Sequence, residues 1–243
     1  NLFVNRINAA QRYWPLLNGA GITVSVKEFR FDSSDVDFRG RYLPSPKSAA
    51  QLTDHAHIMA SLIAGAGNSD PAGQGVAPGV QLTSSNFVGL LPDDAADYAA
   101  QNISVQNHSY GIAIENYYGL SALAYDQSVT LRPELLHVFS AGNDGLMASS
   151  SGVYANIPAF ANLTGNFKMA KNVLTVGSVD SFGQTPPFSS RGPAYDGRIK
   201  PDLVAFGAGG TSESAALVSG AAAVLQQAFF EKYGARPSAS TLR

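Results

Sequence analysis

Four places in this chain put a reactive side chain where an apolar run gives way to a loop or a helix. Glu28 closes Val24-Ser25-Val26-Lys27-Glu28, with Asp32, Asp35 and Asp37 soon after it. A carboxylate at the end of a buried strand can be half-buried and still accept a hydrogen bond, although an acid in such a loop is more often simply solvated. His55 opens the stretch Thr53-Asp54-His55-Ala56-His57, ahead of residues otherwise committed to a core. Its imidazole can move a proton near neutral pH, but a lone His is more commonly structural. His57 stands two residues on, and an i, i+2 pair shares no helix face, which speaks against a metal site. Asn143 ends Ser140-Ala141-Gly142-Asn143, where its amide can donate into a cleft or merely make a turn. Ser212 lies in Gly209-Gly210-Thr211-Ser212-Glu213 at the head of a long apolar stretch. A hydroxyl there is ordinarily an N-cap, yet the free N–H groups of a helix start can also hold an oxyanion. Taken singly, each is more often structural. Together, in chain order, they are an acid, a His, an amide donor and a Ser, the parts required for acyl transfer through a covalent intermediate.

The elements that must position these groups can be read from the apolar pattern. Short β-branched or apolar runs bounded by Gly, Pro or Asn predict buried strands at Ile22–Val26, Val80–Thr83, Ile103–Gln106, Leu135–Phe139, Val173–Val176 and Leu203–Ala205. Helical stretches are predicted at His55–Ala64, Asp93–Ala100, Leu120–Val129 and Ser214–Phe230, and Pro237-Ser238 starts one more. The Ser214–Phe230 stretch is apolar nearly all round, so it must be buried. Strands alternating with helices predict an α/β domain, doubly wound, with a mainly parallel sheet and helices on both faces. Working groups in such sheets gather at the carboxyl ends of the strands. No internal repeat or linker interrupts the chain, so residues 1–243 read as a single domain.

Composition narrows the function classes. The chain has 243 residues, 45% of them hydrophobic, which suits a globular domain with a sizeable core. A net charge of -2 with scattered Lys and Arg argues against a nucleic-acid or anionic-membrane partner. No apolar run reaches the ~18 residues needed to span a bilayer. The absence of Cys excludes disulfides, thiolate catalysis and Cys-ligated zinc. Gly65-Ala66-Gly67 lacks the rest of a dinucleotide fingerprint, and the sequons at Asn102, Asn107 and Asn162 are assigned no role. The chain opens without Met and stops after Arg243 as a helix begins, which reads as a trimmed piece of a longer precursor.

Beyond the individual residues, the sequence resembles the subtilases, the subtilisin-like serine peptidases. Phe188-Ser189-Ser190-Arg191-Gly192-Pro193 followed by Asp196-Gly197-Arg198-Ile199-Lys200-Pro201-Asp202 is similar to a family signature. So are Gly75-Val76-Ala77-Pro78, Asn107-His108-Ser109-Tyr110-Gly111, Asn172–Asp180, Ser140–Asn143 and Gly210-Thr211-Ser212. The landmarks run from about Gly21 to about Leu225 and share the acid–His–Ser order of subtilisin. The resemblance implies a serine endopeptidase with Ser212 as nucleophile, His55 as general base, and Asn143 with the Ser212 N–H as the oxyanion hole. It implies that an extended peptide lies beside Ser109, Tyr110 and Gly111, with Ser140, Ala141 and Gly142 on the facing wall and Tyr154–Pro158 as a further candidate lining. It also implies a secreted or cell-surface bacterial enzyme, made with its own propeptide and requiring no cofactor. Some subtilases bind structural calcium, for which Asp32, Asp35, Asp37 and Asp70 are candidates, but no loop shows a complete ligand pattern.

Departures from the family pattern are as informative. Glu28 stands where subtilases place Asp, with Asp32 as the fallback acid. Ala56 and His57 replace Gly and Thr; Glu213 and Ala216 replace Met and Pro. The connection from Phe206 to Gly210 is short, and either this branch has a short loop or a segment is missing. These changes sustain the alternative of a pseudoprotease that binds extended peptides or a partner without cutting.

Overall fold

A computed structural model describes all residues 1–243. Six strands form one sheet: β1 (Thr23–Lys27), β2 (Gln81–Ser85), β3 (Ile103–His108), β4 (Leu136–Ser140), β5 (Leu174–Val179) and β6 (Leu203–Phe206). Every adjacent pair is parallel, in the order β2-β1-β3-β4-β5-β6. The chain moves outward from β1 to β2, crosses back to β3, then winds the other way. The order therefore reverses between β1 and β3, and the crevice for a ligand in such a sheet lies at the carboxyl ends of those two strands.

Side-chain alternation sorts the sheet into two faces. Val24, Val26, Val105, Leu136 and Val138 join one core cluster with Met59 and Ile63 of α2 (Asp54–Ala64) and Ala215, Ala216 and Ala223 of α5 (Thr211–Tyr233). Phe139 faces the other way, into a second cluster with Tyr125 of α4 (Leu120–Leu131), Tyr110 and Phe167. Relative to β1, β3 carries one extra residue between Ile103 and Val105. Ile103 is thereby turned to the face of Tyr98 on α3 (Ala95–Ala100). Five strands are buried along most of their length. The exception corrects the expectation for β6. It is an edge strand, and Leu203 and Val204 are 36% and 50% exposed. The Asn5 side chain covers part of that edge, its amide donating to the Phe206 carbonyl at 2.8 Å and its oxygen accepting from the Phe206 N–H at 2.9 Å.

Helix ends follow the local chemistry. Thr53 caps α2 by accepting from Ala56 N at 3.3 Å. Gly234 ends α5 in the left-handed conformation. Ser238 caps α6 (Ala239–Leu242). A short α1 (Ile7–Tyr13), absent from the sequence expectations, buries none of its residues. Helix α5 crosses the face of β1, β3, β4, β5 and β6 and also packs on α2. No helix is long and apolar enough to cross a membrane. Beside α2, Gly220 of α5 comes so close to Val76 that an added Cβ would sit 2.6 Å from the Val76 Cβ. Two ordinary carbons need ~3.5 Å.

Gly220→Ala sets two effects against each other. Removing a mid-helix Gly stabilises by about 1 kcal/mol, whereas overpacking a rigid contact costs about 1–3 kcal/mol. The contact should win, so the urea midpoint of unfolding is expected to fall. A raised midpoint would show that α5 does not press on Val76 this closely.

Candidate active site

The carboxyl end of β1 delivers Glu28, and the first turn of α2 delivers His55. Glu28 is buried while the His55 side chain is about half exposed, and Oε1 of Glu28 meets Nδ1 of His55 directly. Glu28 Oε2 has no partner at all. The hydrogen bond that His55 Nδ1–H donates to Glu28 raises the His55 pKa; burial opposes it, and the charges of Glu28 and Glu213 add to the rise. Asp32, the fallback acid, is occupied elsewhere, accepting from the Ser34 hydroxyl at 2.6 Å and the Ser34 N–H at 2.9 Å. His57 faces Asp35 at 3.3 Å and packs edge-on against Phe38, as its i, i+2 offset from His55 requires. The other candidate calcium acids also have local tasks. Asp37 accepts from Asn68 N and Ser69 N, and Asp70 accepts from Ala72 N.

Ser212 sits in the first turn of α5, where backbone N–H groups lack intrahelical partners. Four residues, three of them Gly, carry the chain from β6 to α5. Gly210 adopts φ 116°, and a Cβ there would lie 3.1 Å from Asn143 Oδ1, so only Gly serves both conformation and space. The Asn143 amide is clamped by its oxygen, which accepts from Thr211 N at 3.1 Å and Thr211 Oγ1 at 3.0 Å. The clamp leaves Nδ2 as the end free of any acceptor. Thr211 was not singled out from the sequence; its position just before the hydroxyl is the only signal there.

A cleft lined by Ser109, Tyr110, Gly111, Ile112, Ser140, Gly142, Asn143, Asp144, Thr164, Thr211 and Ser212 brings Ser212 and Asn143 together, with Glu28 and His55 outside that lining. Ser212 Oγ donates to the Ser109 carbonyl at 3.2 Å, and Ser109 Oγ donates to the Ser212 carbonyl at 3.0 Å. No hydrogen bond joins Ser212 to His55 in this arrangement. Ala141 turns away from the cleft into the aromatic core. Tyr154–Pro158 does not line it either, since Tyr154 packs edge-on against Phe160. Thr164 takes that place, a residue sequence reasoning saw only as part of a sequon. The remaining histidines, His108 and His137, form a buried chain from Tyr110 OH to Ser128 Oγ. Desolvation holds both well below the usual imidazole range, His137 at about 3.

Residues 19–241 match the subtilase family. The chain belongs to that family. As a subtilase it is a serine peptidase by class. Solved structures with the same fold include the protease domain of PatA in a mutant form, at 22% identity over 93% of this chain and 86% of that one, with a TM-score of 0.67. The prenylagaramide maturation protease PagA matches at 20% identity, over 94% and 83% of the two chains, with a TM-score of 0.68. A cold-adapted subtilisin-like serine proteinase matches at 20% identity over 93% and 80%, with a TM-score of 0.60. At such identities the likeness is one of fold.

In this subtilase the contact between Glu28 and His55 has a direct titration signature. Glu28→Gln removes the charge that favours the imidazolium and leaves only a weaker, neutral amide oxygen to accept from Nδ1, so the His55 pKa is expected to fall, measured by NMR of the ring protons. An unchanged value would mean that the raised pKa has another source.

Proposed function

We propose that the chain is a serine endopeptidase in which Ser212 is the nucleophile, His55 the general base, Glu28 the acid that orients it, and Asn143 an oxyanion donor. The observation that carries this reading is the placement of Ser212 and the free Asn143 Nδ2 on one cleft at the carboxyl ends of β3 and β4. In the proposed step Ser212 Oγ bonds to the scissile carbonyl carbon as His55 takes its proton. The developing oxyanion accepts from Asn143 Nδ2 and the Ser212 N–H. Collapse breaks the C–N bond, with His55 returning the proton to the leaving amine, and water then repeats the sequence to free the acid. Each role is filled by a side chain or backbone group, so the chemistry balances without a cofactor.

The resting hydrogen bond from Ser212 to the Ser109 carbonyl gives the substrate a part in activation. An extended peptide pairing with Ser109–Gly111 would donate its own N–H to that carbonyl. The hydroxyl is then released to turn toward His55. Residues 1–243 work on this reading as one catalytic domain of a secreted bacterial enzyme, made with its own propeptide. A second reading, a pseudoprotease that holds extended peptides uncut, draws on the same Ser212–Ser109 bond and on the unpartnered Oε2 of Glu28.

Hydrolysis of a chromogenic tetrapeptide anilide separates the two. Ser212→Ala is expected to abolish turnover with the thermal midpoint retained, and Asn143→Ala to lower kcat by about 10²–10³, the loss seen for the corresponding donor in subtilisin. Turnover that survives Ser212→Ala would overturn the proposal. Wild type that binds the peptide yet never cuts would establish the pseudoprotease.

A further inference from the structure

Behind the floor of the cleft lies a buried amine with no carboxylate in ion-pairing distance. Lys168, in the short turn Asn166–Met169, is 0% exposed. Its Nζ donates one hydrogen bond, to Thr164 Oγ1 at 2.7 Å, and stands 5.8 Å from the centre of the Phe167 ring. No carboxylate lies within ion-pairing distance of it. An ammonium with three donors and a single partner is an expensive thing to bury. Desolvation accordingly pushes its pKa down to about 7, with only the Asp144 charge pulling it up.

The position of the group gives this cost a purpose. Thr164 is 4% exposed and lines the cleft. Its Oγ1 lies 2.3 Å from where a Cβ would be on either Gly111 or Gly142, and Lys168 Nζ lies 3.3 Å from the Gly111 position. Both glycines line the cleft, so Thr164 Oγ1 is the floor between them, with the amine directly behind. The hydroxyl accepts from Lys168 and donates to nothing, so its proton is available to whatever enters. A side chain projecting between Gly111 and Gly142 from the residue on the acyl side of the scissile bond would meet that hydroxyl.

We propose that this pocket selects an acidic side chain, Asp or Glu, on the acyl side of the cleaved bond, with Thr164 and Lys168 as its specificity-determining residues. The inference rests on the endopeptidase reading above and names its substrate class. A carboxylate would accept from Thr164 Oγ, and its charge would favour the protonated form of Lys168 directly behind that hydroxyl, outweighing the charge of Asp144, which also lines the cleft. A large apolar side chain would instead meet a polar floor and leave the Thr164 hydroxyl proton without an acceptor.

The test compares succinyl-Ala-Ala-Pro-X-anilides with X as Glu, Gln, Leu or Phe. Glu is expected to exceed Gln and Leu in kcat/KM by about 10- to 100-fold, and Lys168→Met, close in shape, to erase or reverse the Glu:Leu ratio. Thr164→Val supplies a second variant should the first fail to fold, and the wild-type Glu:Gln ratio stands without either. Equal or faster cleavage after Leu or Phe overturns the acid preference while leaving the endopeptidase reading intact. If no anilide is cut, calorimetry with Ser212→Ala and the uncleaved Glu and Leu peptide amides decides the pocket separately. Tighter binding of Glu supports it, and equal affinity ends it.

Discussion

The seam between α5 and the carboxyl end of β3 is a run of buried hydrogen bonds. Ser219 Oγ donates to Asn107 Oδ1 at 3.0 Å, Asn107 Nδ2 donates to Ser109 Oγ at 3.0 Å, and Ser109 Oγ donates to the Ser212 carbonyl at 3.0 Å. Sliding the helix along the sheet would strand several of these polar groups at about 1–3 kcal/mol each, so the seam sets the height of Ser212 over the strand ends. The apolar contacts of α5 with the sheet supply the greater part of the adhesion, but they are less particular about register. Everything else in the cleft is measured from that seam: the Thr211 clamp on Asn143, the Ser109 carbonyl beside Ser212, and the Gly210 turn that makes room for both.

His55 arrives by a separate route, through α2 and its packing on β1 and α5. The two halves of the site therefore belong to different loops across the reversal between β1 and β3. Glu28 and His55 meet on one side of that reversal, while Ser212 on the other side donates its hydrogen bond to the Ser109 carbonyl. The longer side chain of Glu reaches His55 with one oxygen, and its other oxygen is left unpartnered. An extra methylene is accommodated at the cost of one acceptor.

Much of this was legible in the sequence because it depends on burial. Strands such as Val24–Val26 and Leu136–Phe139 are continuous apolar runs since both faces of a parallel sheet are covered, and α5 declared itself by lacking a polar face. Glu28, His55, Asn143 and Ser212 stand out as candidates because each interrupts or ends such a run. Failures came where burial and pattern part company. Strand β6 has the composition of a buried strand but lies at an edge left largely open, whereas the other edge strand, β2, is covered through its bridge to Tyr42, and no local pattern carries that difference. Helix α1 is only seven residues long and fully buries none of them, so its short stripe of Ile7, Ala10 and Trp14 does not stand out in the sequence. Nothing in the pattern around Lys168 and Thr164 marks them, and only the chain's return to Gly111 and Gly142 puts that amine behind the cleft.

Covalent labelling with a serine-directed fluorophosphonate, read by intact mass, tests most directly whether these groups act as one site. An activated Ser212 predicts a single adduct on the wild type, none on Ser212→Ala, and slower labelling of Glu28→Gln as the orientation of His55 is lost. A folded wild type that takes no adduct, or an adduct that persists on Ser212→Ala, would contradict it.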